Sequence, residues 1–198
     1  MGPPDEARRE ARFRELFSSS YADVVRFATR RVDPASAEDV AAEAFLVVWR
    51  RLDELPARPG QARAWLFGIT RGCLLNARRG QGRQDAVAVR LGTDDPHRVV
   101  DLAGTEDAIR RVDLQRAWRQ LSAAQQEVLG LAVLDDVTSA EAASILGTTS
   151  TAYRLRLVRA RTALRRLLDN PPGATTAGAT TAGVTTLSPA RSWMEVNP

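Results

Sequence analysis

The fold is decided by residues 121–168, LSAAQQEVLGLAVLDDVTSAEAASILGTTSTAYRLRLVRARTALRRLL. In this stretch a Ser or Thr is twice followed three residues later by Gln or Glu, the capping-box pattern that begins a helix. The two pairs are Ser122 with Gln125 and Thr138 with Glu141. Gly147 stands where a helix ends in a left-handed backbone conformation. The stretch thus predicts a short helix, a glycine-containing turn and a longer helix, the helix-turn-helix arrangement that places its second helix in a DNA major groove.

The second helix of this motif is predicted to be strongly basic. Its apolar residues recur at intervals of three and four, forming one stripe: Tyr153, Leu157, Ala160, Leu164 and Leu167. Six arginines flank or oppose the stripe: Arg154, Arg156, Arg159, Arg161, Arg165 and Arg166. No acidic residue occurs between Ser150 and Leu168, so the helix suits the phosphates and base edges of DNA. A basic helix surface that faces only solvent is the competing interpretation.

Composition and periodicity divide the whole chain into four segments. Residues 5–79 and 106–169 have the spacing of amphipathic helices, and each is predicted to form a small domain. Residues 80–105 contain glycines and a proline without helical period, which predicts a flexible linker. Residues 170–198 form a low-complexity Ala, Thr and Gly tail that is predicted to be disordered. Because no segment alternates with a period of two, the predicted fold class is all-α.

Start and stop signals also mark the helices of the first domain. Ser36 and Asp39 approximate a capping box, and Pro56 ends the helix that they begin. The next helix is predicted from Ala62 until the glycine at Gly80. With an earlier amphipathic helix, these segments can share one core.

Composition restricts the class of protein. The 198 residues include 28 basic residues, all of them arginine, against 24 acidic ones, so the net charge is +4. This balance favours an acidic partner without identifying it. One cysteine, Cys73, and one histidine, His97, cannot supply an intrachain disulfide or the usual zinc ligands. We therefore predict a protein that is not an enzyme and holds no metal or cofactor, with Cys73 buried as a small apolar residue and His97 solvated.

The lengths of the apolar runs and the charge of the N-terminal sequence predict the cellular localisation. Apolar runs such as Phe45–Trp49 are far shorter than the ~20 residues that a membrane-spanning helix needs. The N-terminal sequence MGPPDEARREARFREL is charged where an export signal needs an apolar stretch. The expectation is a cytoplasmic protein without membrane insertion.

Residues 121–168 closely resemble the C-terminal promoter-binding domain of extracytoplasmic-function (ECF) sigma factors. SAEDVAAEAFLVVWRRLDELP, residues 36–56, and ARAWLFGITRGCLLNARR, residues 62–79, are similar to the N-terminal domain of the same family. The matching stretches occur in the family's order and cover roughly residues 10–168. The arginine-rich, lysine-free composition fits a GC-rich genome, so the resemblance is to the actinobacterial type.

The resemblance implies that the N-terminal domain docks on core RNA polymerase, at the clamp coiled coil of the largest subunit. The family's surface for this contact holds Asp39, Glu43, Phe45 and Trp49. Acidic side chains beside aromatic anchors suit a basic, amphipathic coiled coil. Each of two residues has an alternative role. Phe45 also lies on the apolar stripe of its helix, so it can belong to the core, and Asp39 can be a helix cap and nothing more.

The same domain is implied to open and read the minus-ten promoter element. The candidate residues follow the loop Leu55–Gln61: Arg63, Arg71, Asn76, Arg78 and Arg79. Basic side chains can hold single-stranded DNA, and Asn76 can present a donor and an acceptor to a base edge. Trp65 at this spacing is expected in the core rather than as a stacking platform.

The C-terminal domain is implied to read the minus-thirty-five element with the second helix of its motif. The candidate contacts are Thr149, Ser150, Thr151, Arg154, Arg156, Arg159 and Arg161. The sequence departs from the family pattern at four positions, which affects promoter sequence and melting rather than the fold: Ala42, Gly72, Thr151 and Leu155.

The leading hypothesis is therefore an alternative sigma factor that binds core polymerase and promoter DNA and is restrained by an anti-sigma factor. A stand-alone helix-turn-helix regulator is the alternative, although no dimerisation segment is visible for paired half-sites. A degenerate module that sequesters partners without binding DNA is a third hypothesis, which the arginine-dense helix disfavours.

Overall fold

The computed structural model describes residues 3–78, 87–91 and 105–170. Within these ranges the chain forms seven α-helices, a short 3-10 helix at Leu52–Glu54 and no strand. The α-helices are α1 (Pro3–Thr29), α2 (Pro34–Arg50), α3 (Pro59–Arg78), α4 (Thr105–Gln120), α5 (Ala123–Val133), α6 (Ser139–Ile145) and α7 (Ser150–Asp169). The predicted all-α class is confirmed, and the helices fall into an N-terminal set, α1–α3, and a C-terminal set, α4–α7.

The N-terminal helices pack around an apolar core. Phe27 of α1 stacks on Phe67 of α3 with ring centroids 4.6 Å apart, and both rings are buried. Phe45 of α2 completes the core towards the outer part of α1, where its ring contacts Phe13 edge-on at 6.3 Å. The predicted sharing of one core by three helices is confirmed.

The beginning of α2 differs from the prediction. Its N-cap is Asp33, and the helix starts at Pro34, so the capping box expected at Ser36 and Asp39 is wrong. The Asp33 carboxylate accepts hydrogen bonds from the Ser36 hydroxyl at 2.7 Å and the Ser36 amide at 3.0 Å. These bonds hold the pKa of Asp33 below its ordinary value, the hydroxyl contributing most. Proline is favourable at the first helical position because its missing N–H would have no helical partner there, which moves the start upstream.

The helix-turn-helix is built as predicted. Ser122 and Gln125 exchange both capping-box hydrogen bonds at the start of α5, and Thr138 and Glu141 do so at the start of α6. Gly147 has φ +61°, the left-handed conformation that ends α6. Beyond it, the Thr148 amide donates to the Ala143 carbonyl at 2.9 Å and the Gly147 amide to the Ser144 carbonyl at 3.2 Å. This pair of bonds is a Schellman motif, which ends α6 cleanly and sets the direction of α7.

The two helix sets are packed against each other. Helix α3 contacts α6, and the buried apolar residues of both sets form one continuous cluster. We call the contact between α1–α3 and α4–α7 the interdomain seam. Part of the predicted linker lies in it, because residues 87–91 are extended and both Val87 and Val89 are buried.

Residues 87–91 bind both sides of the seam. The Val89 amide donates to the Gln126 side chain at 3.2 Å, and the Trp118 indole donates to the Val89 carbonyl at 2.6 Å. On the other side, the Arg90 amide donates to the Arg30 carbonyl at 2.7 Å. Gly130 makes room, since a Cβ there would lie 3.0 Å from the Val89 side chain. The described part of the linker is therefore a packed strap and not the solvated tether that its composition predicts.

Two glycine substitutions should change stability in opposite directions. We expect Gly147→Ala to lower the free energy of unfolding by about 1–2 kcal/mol, because a Cβ disfavours the left-handed conformation. Gly72→Ala, inside α3 with nothing within 4 Å of the added Cβ, should raise it by about 0.5–1 kcal/mol. Urea unfolding of both variants measures the difference. A Gly147→Ala protein as stable as the wild type would contradict the assigned turn.

Candidate nucleic-acid interface

The N-terminal end of α7 presents polar and basic groups to solvent. The Thr149 hydroxyl caps the helix by accepting a hydrogen bond from the Ala152 amide at 3.1 Å. Thr151 and three of the predicted arginines are exposed, while Ser150 and Arg161 are half-buried. The exposed arginines are Arg154, Arg156 and Arg159. The predicted minus-thirty-five residues thus lie together at one end of α7, from its N-cap, Thr149, to Arg161 at the start of its fourth turn.

The charge of α7 is not compensated within the described part of the chain. Its sequence contains six arginines and one acidic residue, Asp169, at the far end. None of the ion pairs among the described residues involves an α7 arginine. The apolar side of α7 is held in the core, where the buried Tyr153 hydroxyl donates to the Val128 carbonyl at 3.2 Å. Burial raises the pKa of Tyr153 to about 12, so this donor keeps its proton at neutral pH.

The predicted minus-ten residues are placed differently. Arg63 reaches across the interdomain seam and donates to the carbonyls of Asp135 at 2.7 Å and Asp136 at 3.0 Å. Arg71 forms a two-pronged ion pair with Glu127, with N–O distances of 2.8 and 3.1 Å. Two of the predicted DNA contacts are therefore engaged with the C-terminal helices.

The other predicted minus-ten residues lie towards the end of α3. Asn76 is exposed, and Arg78 is the last residue of the helix. Arg79 and His97 lie outside the described residues, as does the segment 171–198.

The seam is centred on a cluster that the sequence did not indicate. The buried carboxylate of Asp135 accepts from Arg31 at 2.6 Å and from Arg30 at 3.0 Å. The Arg31 side chain is fully buried, and its guanidinium lies 3.5 Å from the centroid of the Phe27 ring. We call Arg30, Arg31 and Asp135 the Asp135 cluster. Adjacent arginines at the end of a helix normally face solvent, so no local signal in the sequence predicts their burial.

A groove of about 500 Å³ lies between α2 and α3 on one side and the α6–α7 turn on the other. Trp65 and Asn76 line it opposite Gly147. Trp65, expected in the core, is half-buried at this groove, with the Arg51 guanidinium 5.9 Å from its ring. Cys73 is buried as predicted, and burial, reinforced by the charge of Glu43, raises its pKa to about 11.

The exposed face of α2 carries the acidic part of the predicted polymerase surface. Asp39 and Glu43 are exposed, whereas the Phe45 ring is only 3% exposed and belongs to the core. Trp49 is half-buried beneath the Arg9 guanidinium, which lies 5.1 Å from its ring. Sequence reasoning missed Leu46, which is 58% exposed on the same face. Helical spacing could have identified Leu46, because it follows Asp39 by seven residues and Glu43 by three and so lies on the same side of α2.

Among the described residues, every helix falls short of a membrane-spanning segment in its length or its apolar character. The same residues contain no group of three or more His, Cys, Asp or Glu that could hold a metal ion.

Both halves of the chain match known families. Residues 16–84 match the family described as Sigma-70 region 2, and residues 111–164 match Sigma-70, region 4. The ECF RNA polymerase sigma factor SigL of Mycobacterium tuberculosis is 29% identical over 166 residues, which cover 82% of this chain and 92% of SigL.

Two solved structures have a similar fold. RpoE of Bartonella quintana, determined in complex with the anti-sigma factor NepR, has a TM-score of 0.56 and is 24% identical. The match covers 79% of this chain and 96% of RpoE. CnrH, in complex with the cytosolic domain of CnrY, has a TM-score of 0.54 at 23% identity, with 79% of this chain and 87% of CnrH covered.

The matches place the two conserved regions of a sigma-70-type factor in one chain, in the order in which such factors carry them. The chain belongs to the ECF group of RNA polymerase sigma factors. It is an alternative sigma factor that binds core RNA polymerase and directs promoter-specific initiation of transcription. Because region 2 accompanies region 4, the hypothesis of a stand-alone helix-turn-helix regulator is set aside.

Replacing the central carboxylate should open the interdomain seam. Asp135→Asn removes the charge of the carboxylate that pairs with Arg30 and Arg31, and breaking a buried ion pair from one side costs about 3–5 kcal/mol. We expect faster hydrogen exchange at the amide of Arg90 or of Val89, which bond the strap to the N-terminal and C-terminal sets respectively, and a larger radius of gyration, with each helix set still folded.

Asp136→Asn is the matched control for this experiment. Asp136 is exposed, has φ 48°, which asparagine adopts readily, and contacts Arg63 only through its carbonyl. Exchange at both Val89 and Arg90 and a radius of gyration that are the same in Asp135→Asn and the wild type would show that the cluster does not hold the seam.

Proposed function

We propose that the two helix sets divide the work of this sigma factor between them. In this assignment, α2 docks on the clamp coiled coil of the polymerase largest subunit, α3 contributes to the minus-ten element, and α7 reads the minus-thirty-five element. The observation that carries the proposal is the basic outer surface of α7, whose arginines have no acidic partner among the described residues. Such a surface can release the counterions of DNA when its arginines neutralise phosphates.

The domain assignment follows the same division. The proposed units are residues 5–79 and 106–169, with 80–105 between them and a tail at 170–198. In the cytoplasm, where polymerase and promoter are found, the protein acts by binding and carries out no catalytic step of its own. The support for this division is the agreement of the two proposed units with the two family matches to within about a dozen residues at each end.

The exposed face of α2 is proposed as the polymerase contact. Asp39, Glu43 and Leu46 recur at intervals of four and three, so they share one side of the helix. Carboxylates around an exposed leucine suit a basic coiled coil that also offers apolar side chains. Trp49 borders this face, whereas the buried Phe45 supports it from beneath.

The contribution of α3 to the minus-ten element requires the interdomain seam to open. Arg63 and Arg71 cannot hold DNA while they are bonded to the Asp135 and Asp136 carbonyls and to Glu127. We infer that the closed arrangement is the resting form and that polymerase binding favours the open one. A conformational change of this kind requires only that polymerase bind the open form more tightly.

An anti-sigma factor is proposed as the regulatory partner. RpoE and CnrH are the basis for this proposal, since RpoE was solved with an anti-sigma factor and CnrH with the cytosolic domain of CnrY. A partner that binds the closed form would hold the seam shut by the same linkage that lets polymerase open it.

Charge reversal on α2 should weaken polymerase binding. We expect Asp39→Arg with Glu43→Arg to reduce affinity for core polymerase by at least about tenfold, because like charges facing each other across an interface cost several kcal/mol. Fluorescence titration of labelled full chain with purified core polymerase measures the effect.

The control for this reversal changes two other exposed carboxylates. Glu15→Arg with Asp113→Arg alters the net charge equally but lies on α1 and α4, away from the α2 face. Equal affinity in the two double variants would refute the α2 assignment.

Removing arginines from α7 should weaken promoter binding specifically. We expect Arg154→Ala with Arg156→Ala to lower the holoenzyme's affinity for its promoter by roughly 10- to 100-fold and to reduce the salt dependence of binding. Both side chains are exposed, so polymerase association and thermal stability should stay as in the wild type. A parallel loss of polymerase association would indicate a folding defect instead of a DNA contact.

A further inference from the structure

The outermost line of α7 is apolar although its surroundings are basic. The side chains that hold α7 in the core define its inner face: Tyr153, Leu157, Ala160 and Leu164. At 100° per residue, the side opposite this face carries Thr151, Leu155, Val158 and Thr162. Leu155 is 51% exposed and Val158 is 59% exposed, so neither is used to build the core.

Arginines border this line on both sides. Arg154 and Arg161 lie on one flank, and Arg156 and Arg159 lie on the other. The helix therefore presents a strip of methyl groups about one side chain wide between two rows of guanidinium groups. With α7 in a groove, as the proposed function has it, the two rows are on the sides of the two phosphate backbones, and the strip faces the floor of the groove, where the base edges lie.

The chemistry of the groove floor identifies what an apolar strip can bind. In the major groove, the base pairs present hydrogen-bond donors and acceptors and one apolar group, the C5-methyl of thymine. Leu and Val side chains have no hydrogen-bonding atoms, so they can favour a base only through such a methyl group. Leu155 and Val158 lie in the first three turns of α7, the part of a recognition helix that reaches base edges.

We propose that Leu155 and Val158 are specificity-determining residues that read thymine methyl groups in the minus-thirty-five element. This inference rests on the proposed function, in which α7 enters the major groove. It assigns the strip to DNA and not to a protein partner, because the bordering arginines form no ion pair among the described residues and their combined charge favours a polyanion. Thr151 adds a third methyl group to the same line.

The test uses the full chain bound to core polymerase and a pool of duplexes with a randomised upstream segment. Sequences enriched by the holoenzyme define the element, and each thymine in it is then replaced by deoxyuridine, which lacks only the C5-methyl group. We expect replacement at one or two thymines to weaken wild-type binding roughly fourfold per methyl lost. At those positions, Leu155→Ala or Val158→Ala holoenzyme should bind thymine and deoxyuridine duplexes equally.

Val133→Ala is the matched control, since Val133 is an aliphatic residue of α5 that is also 51% exposed. This variant should keep the full sensitivity to deoxyuridine. Thermal unfolding of all three variants should be unchanged, because the truncated side chains are exposed.

The outcomes of this experiment distinguish a failure of the thymine contact from a failure of the proposed DNA-binding role of α7. If the holoenzyme enriches no sequence, both the assigned role of α7 and the thymine contact fail. If it enriches an element without thymine on either strand, or one in which deoxyuridine on either strand has no effect, the thymine contact alone is overturned. Equal deoxyuridine effects in the wild type and both strip variants overturn it too. Reduced polymerase affinity in Leu155→Ala, without a deoxyuridine effect, would assign the strip to a protein interface.

Discussion

The arrangement of the whole molecule depends on one buried carboxylate. Asp135 receives hydrogen bonds from Arg30 and Arg31, and its own backbone carbonyl accepts a further bond from Arg63. A buried ion pair contributes little net stability when it is intact, because desolvation of the charges offsets their attraction, but losing one partner is costly. The cluster therefore contributes less to general stability than to the relative placement of the two helix sets in the closed arrangement. That placement determines which basic residues DNA can reach, since α7 stays exposed while Arg63 and Arg71 are engaged.

The local features of the fold could be predicted from the sequence. The capping boxes at Ser122 and Thr138 and the turn at Gly147 were predicted correctly because each depends on side chains within five residues of one another. The start of α2 was missed for a local reason too. Ser36 fits the capping pattern, but the Asp33 carboxylate and the proline after it fit an earlier start better.

The candidate sites could be predicted only where one helix determines them. The arginines of α7 were placed correctly on its surface, since helical spacing fixes which side of a helix is buried. Arg63 is bonded to Asp135, which is 72 residues away in the sequence, and Arg71 to Glu127, which is 56 residues away. The periodicity of apolar residues contains no information about such distant pairs. Phe45 and Leu46 belong to the part that spacing can decide, because Phe45 lies on the apolar stripe of α2 and is buried, whereas Leu46 shares the side of Asp39 and Glu43 and is exposed.

The strap formed by residues 87–91 couples the separation of the two helix sets to its own detachment. Val89 is bonded to the C-terminal helices while Arg90 is bonded to the end of α1, so the two sets cannot part without detaching the strap from at least one of them. Once detached, these five residues add to the reach of the connection between the sets. Under the proposed opening of the seam, the distance between the two helix sets is therefore not a constant of the chain: it is short in the closed arrangement and lengthens in the same event that uncovers Arg63 and Arg71.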